Sequence, residues 1–423
     1  MTAVLSFEQA PPLSVPFRFF LTAPLFGCLA GLLLAFDAEA VLVSRWSGAS
    51  LALTHLLTLG FMLQAMCGAL LQLLPVVVGA NVWRPRWVGA VTHVGLIAGT
   101  FLLAAGFLTS SASWFQLAIP TLGATVSVFV LATAIGLLRT PSRSETLSAL
   151  RMSIVALSIT AGLGIALSWV FGWQAQLPVM RLAQLHVAWG FLGWGLVLLV
   201  GVSFLVVPMF QLTPPYAKRF AGLFPLVLTG TLVLWSATVF AAEDPGWETW
   251  VPVAALGGLA IAFAVQTLRL QAQRRRRHVD PTFLFWRTAM FALVIGTAMV
   301  LVRMYLDDEA LGSRLEMAAG AMIIVGFFLS VINGMFYKIV PFLIWMHLQR
   351  IVKTPPNMSR VISETAMRRQ LWLHWAALAA LVLGWAVTPL LALGGILLAA
   401  SCVWTEVNLV RAVRVYRRSA LAG

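Results

Sequence analysis

The sequence predicts an all-α integral membrane protein, with twelve transmembrane helices in three pseudo-equivalent four-helix repeats. Three observations carry this expectation. Of 423 residues, 61% are hydrophobic and only 10% charged, and mean hydropathy is +0.93; such values belong to polytopic membrane proteins rather than soluble domains. Apolar stretches of roughly 20 residues, enough to cross about 30 Å of hydrocarbon, recur along the whole chain. A Gly, Gly, Pro triplet returns three times at one constant interval.

The apolar stretches centre on 16–36, 50–77, 88–108, 114–138, 148–172, 182–209, 220–241, 249–268, 281–304, 315–346, 370–391 and 392–412. Connections are short, so the expectation is one membrane domain, 1–423, with repeats over 16–140, 148–270 and 281–412. The first stretch follows the polar MTAVLSFEQAPPLSVP and lacks a small-residue cleavage pattern, so it reads as a retained helix.

The net charge of +14 raises the question of nucleic acid, and its distribution answers it. Arg84 and Arg86, then Arg139, Arg143 and Arg151, then Lys218 and Arg219, fall in alternate connections. Arg269, the run Arg274 to Arg277, then Arg350, Lys353, Arg360, Arg368 and Arg369, and the tail Arg411, Arg414, Arg417 and Arg418 continue the series. The intervening connections carry Asp37, Glu39, Glu243, Asp244, Glu248, Asp307, Asp308 and Glu309. This is the positive-inside pattern of an inner-membrane protein with both termini cytoplasmic. The arginine run also suits contact with anionic lipid, but topology explains it. The partner implied is the lipid bilayer, not nucleic acid. Cys28, Cys67 and Cys402 all lie within spans and show no CxxC spacing, so each reads as a buried small hydrophobe.

The repeat rests on Gly60, Gly68 and Pro75 in the second span, Gly193, Gly201 and Pro208 in the sixth, and Gly326, Gly334 and Pro341 in the tenth. The sets are 133 residues apart, and then 133 again. Glycines so spaced let neighbouring backbones approach, and the proline should end or kink the helix. A transporter built of two six-span halves would place equivalents about 200 residues apart. The 133-residue period contradicts that plan.

Twelve spans in three arcs, with the second, sixth and tenth equivalent, resemble subunit one of the heme–copper oxidase superfamily, in a nitric oxide reductase-like or NnrS-like branch. In that family these three helices carry histidine in their outer third, followed by glycine-rich turns and a proline. His55 and His186 match that placement. The resemblance implies a b-type heme held by His55 or His186, with copper less favoured, and a role in respiratory or nitric oxide metabolism beside respiratory-chain or nitric oxide-related partners. The alternative is a metal-free assembly or transport module for heme or copper.

The sequence departs from the family in its ligands. The tenth span has no histidine before His347, where the family has a His-x-His pair. The seventh, FAGLFPLVLTGTLVLWSATVF, holds none of the family's copper ligands. Oxygen reduction by this chain alone is therefore not expected. His55 precedes its glycine by five residues and His186 by seven, a shift of about 200° on a helix, so the two should point to different sides.

For each of the two histidines, heme or metal ligation stands beside a simple hydrogen bond to a carbonyl. His93 and His374 open spans three and eleven, where snorkelling or helix contacts suffice, and His278 and His347 read as solvated or interfacial. Met62, Met66, Cys67, Met317 and Met322 offer soft Cu(I) ligands, but methionines in apolar helices usually pack. Arg287 can pair with Glu406, Arg303 with Asp307 at helical spacing, and Lys338 can snorkel. Several of the 17 tryptophans fall at span ends, as interfacial anchors do.

Overall fold

The computed structural model describes residues 9–141, 143–241 and 247–421. Glu243 and Asp244 of the charge pattern lie outside the described residues. Every described regular element is helical: α1 Ser14–Phe36, α2 Ala38–Val43, α3 Gly48–Val78, α4 Pro85–Thr109, α5 Ala112–Arg139, α6 Glu145–Trp173 and α7 Val179–Gln211. They continue as α8 Lys218–Ala241, α9 Trp247–Ala272, α10 Pro281–Arg303, α11 Glu309–Leu348, α12 Met358–Val361, α13 Glu364–Gly384 and α14 Thr388–Leu421. Eleven of the described helices are long and apolar enough to cross a bilayer. The chain is an integral membrane protein.

The expected eleventh span is α13, 21 residues long, with Arg368, Arg369, Gln370 and His374 in its first half. That polarity keeps it out of the eleven. Its end differs from expectation as well. The chain turns at 385–387, where the amides of Ala386 and Val387 both donate to the Leu383 carbonyl, rather than at 391. Gly384 closes one helix and Pro389 opens the next at its second position, the asymmetry expected of helix ends.

The helices form two compact units. One comprises α4 as far as Gly106, α5 to α9, and the last turns of α3. The other comprises α1, α2, α3 as far as Gln72, residues 107–110, and α10 to α14.

Three long helices switch mid-course from α to the wider π winding, whose bonds run to the fifth residue. The π segments are Leu56–Leu63 in α3, Trp189–Leu196 in α7 and Met322–Leu329 in α11. They begin at intervals of 133 residues, and Gly60, Gly193 and Gly326 each stand fifth in their segment. A shorter π segment, Leu74–Val78, ends α3.

The glycines do the same packing each time. A Cβ on Gly60 would lie 2.4 Å from the Phe26 ring of α1. One on Gly193 would lie 3.0 Å from the Ala156 Cβ of α6, and one on Gly326 2.7 Å from the Ala292 Cβ of α10. Gly68, Gly201 and Gly334 admit the same three partners through Phe19, Ala149 and Phe285. The pairs therefore seat α3 directly on α1, α7 on α6 and α11 on α10, with no room for a side chain.

The prolines behave less uniformly. Helix α3 ends three residues after Pro75 and α7 three after Pro208, in the left-handed residues Gly79 (φ 70°) and Leu212 (φ 55°). Past Pro341, α11 runs on to Leu348.

Candidate functional site

His55 closes the α-helical start of α3, immediately before the π segment. Its Nδ1 is 2.7 Å from the Leu51 carbonyl one turn back. Only an N–H can serve a carbonyl, so the neutral ring carries its lone pair on Nε2, the nitrogen that binds a metal when the other is so held. The ring is half-buried and stacks on Phe107, with centroids 5.2 Å apart and planes at 29°.

His186 lies three residues before its π segment and reaches a different helix. Its Nδ1 is 3.0 Å from the Thr160 carbonyl of α6, which fixes the same tautomer. Gly164 makes the space: a Cβ there would stand 2.9 Å from the imidazole Cε1. A threonine hydroxyl directed at Ala156 O and a glycine one turn on leave α6 open where the ring arrives.

The other histidines stand otherwise. His347 lies with Nδ1 2.9 Å from Leu343 O and Nε2 3.3 Å from Pro11 O. His278 is exposed, with Nε2 2.9 Å from the Glu364 carboxylate. His374 corrects an expectation. It is fully buried, Nε2 2.7 Å from Ser330 Oγ, because α13 starts ten residues earlier, at Glu364, and carries it inside. His93 is half-buried on α4.

Charged partners also differ from the sequence reading. Among the described residues, Glu406 Oε2 is buried without a partner, and Arg287 instead lies over Phe283 and Phe291, at 5.8 and 5.6 Å from their centroids. Arg303 bypasses Asp307 for Glu309 at 2.9 Å and Glu316 at 3.1 Å, and Glu316 also takes Arg45 at 3.2 Å. Lys338 is held 2.9 Å from Asp280. Burial works to raise the Asp280 carboxyl, but the Lys338 ammonium, the Thr282 hydroxyl and the Phe283 amide outweigh it and hold it below its usual range.

Met62, Met66, Cys67 and Met322 are buried. Met317 borders a cavity of about 230 Å³ with Arg314, Trp385 and Thr388. Among the described residues, no three of His, Cys, Asp and Glu converge as a metal-holding group. A copper centre needs several imidazole or sulfur ligands. An axial imidazole for heme is different, since one correctly held ring suffices for one coordination position. His55 and His186 fit that requirement.

No protein-family model matches the sequence, and no curated protein matches it. The fold has solved counterparts. It matches a heme–copper terminal oxidase, determined by cryo-EM as a dimer, with a TM-score of 0.60 over 98% of this chain and 85% of that one. Sequence identity is 11%. The chain thus shares the fold of a heme–copper terminal oxidase.

Proposed function

We propose that this chain is a heme–copper-oxidase-like protein of the inner membrane that lacks the full binuclear centre and holds one b-type heme through His55, with His186 the second candidate. The architecture behind this reading is three four-helix repeats in one membrane domain, with α13 as the twelfth span. The equal spacing of the π segments and their glycines supports it. We further assign it to respiratory or nitric oxide metabolism, from the resemblance and the fold neighbour.

One observation carries the ligand assignment: a backbone carbonyl holds Nδ1 of His55 at the entrance to a π segment. Bound there, a heme would supply one-electron chemistry and a site for a small ligand. The chain's own part is to fix the tautomer through Leu51 O, to hold the ring plane against Phe107, and to set its angle through the π winding.

The optical spectrum of purified protein tests this. A Soret band is expected in wild type, lost or shifted in His55→Ala and retained in His93→Ala. If His55→Ala and His93→Ala match wild type while His186→Ala loses the band, the ligand is His186. No band and no metal in the wild-type protein would favour the assembly or transport module.

A further inference from the structure

Helices α11, α13 and α14 each carry a polar stripe within the second unit. The stripes are Ser330, Asn333 and Tyr337 on α11, Gln370 and His374 on α13, and Ser401, Thr405 and Asn408 on α14. Steps of three, four and seven keep each set on one helix face. All eight residues are at most 2% exposed.

Hydrogen bonds tie the stripes together at successive depths. Ser330 Oγ and His374 Nε2 are 2.7 Å apart. Gln370 Nε2 donates to Ser401 Oγ at 2.8 Å, and Asn408 Nδ2 to the Tyr337 hydroxyl at 3.0 Å. Phe285 lies alongside, its centroid 5.5 Å from His374 and 6.2 Å from Tyr337. From Ser330 to Tyr337 the seam runs about 10 Å along the helix axis.

Among the described residues, these bonds leave four buried atoms with no partner: His374 Nδ1, Gln370 Oε1, Asn333 Oδ1 and Asn408 Oδ1. Each orphan costs about 1–3 kcal/mol when dry. Four in one seam, inside a membrane fold where lipid offers no partner, call for a ligand that both donates and accepts. None of the eight residues is a carboxylate, so a bare ion would lie uncompensated; a neutral molecule fits better. Water meets every requirement at two to four hydrogen bonds each.

We propose that this seam is an internal water-binding site, in which ordered water bridges His374, Gln370, Asn333 and Asn408. It gives the two titratable side chains of the seam, His374 and Tyr337, a solvated connection within the span. The site is independent of any heme.

Hydroxyl-radical footprinting of the intact protein in lipid nanodiscs, with X-ray pulses in ¹⁸O-labelled water, reads bound water directly. Phe285, at 0% exposed, should take up label severalfold faster than Phe19 and Phe263, which are equally buried. Equal labelling of the three overturns the proposal. In His374→Leu the Phe285 label should fall towards that of Phe19, and an unchanged rate in a folded variant removes the water from this seam. Should that variant not fold, the wild-type comparison decides alone.

Discussion

Asp280 shows how much of one residue's role comes from its neighbours. It caps α10 by accepting the Phe283 amide, takes the Thr282 hydroxyl, and binds Lys338 at 2.9 Å while 14% of its side chain is exposed. A carboxyl whose folded pKa is depressed stabilises the fold above its unfolded pKa, and that contribution disappears as pH falls through the folded value. Asp280→Asn should therefore cost about 2 kcal/mol of stability at neutral pH for loss of a charged hydrogen bond, seen as a lower thermal midpoint. The difference from wild type should shrink as pH falls below the ordinary carboxylate range. A difference independent of pH would mean that the charge contributes nothing. The cap was readable in the sequence, as an Asp immediately before Pro281, but the ion pair was not. Lys338 alone invites snorkelling, and nothing local ties it to a residue 58 positions away. The histidines divide in the same way. His55 answers to its own turn, through Leu51, whereas His186 depends on Thr160 and Gly164 of another helix, a dependence no spacing reveals.

Among the helices, hydropathy alone located the long elements, because a bilayer demands uninterrupted apolar length. It missed α2, only six residues long, and it put the last break too late by following hydropathy past the Gly384 and Pro389 signals. The π winding has no simple sequence signature, yet the glycines inside it stood out by their period. Their packing predicts an asymmetry among glycines. Gly326→Val should cost about 1–3 kcal/mol by overpacking against Ala292. Gly222→Ala, on α8 with nothing within 4 Å of the new Cβ, should be neutral or slightly stabilising, alanine being the better helix former. Thermal midpoints in detergent read both, and equal losses would remove the special role of the π glycine.

For the molecule as a whole, charge placement makes the orientation testable. Reporter fusions after Ser110 should read as external and those after Glu145 and Arg275 as cytoplasmic. The opposite result at two of these sites would overturn the orientation drawn from the positive-inside pattern. The fold is shared with a heme–copper terminal oxidase at 11% sequence identity. A helical membrane scaffold needs apolar length and small residues at its crossings, requirements that many sequences meet. A metal centre needs in addition particular side chains at particular turns.

The three π segments have one more consequence, for the phase of the helices that contain them. A π stretch carries more residues per turn than the α-helix around it, so it acts as an inserted residue that never had to be looped out. Everything before it is rotated relative to everything after. In α3 the glycines at Gly60 and Gly68 and the end at Gly79 lock the later part to its neighbours, while His55 lies on the earlier side. Deleting Thr58 should remove that inserted residue and return the segment to ordinary α winding, with His55 kept in nearly its present direction. Such a variant should still fold, keep all six histidines and retain any heme spectrum that rests on His55, whereas deleting two residues of the segment should turn His55 by about 100° and abolish it.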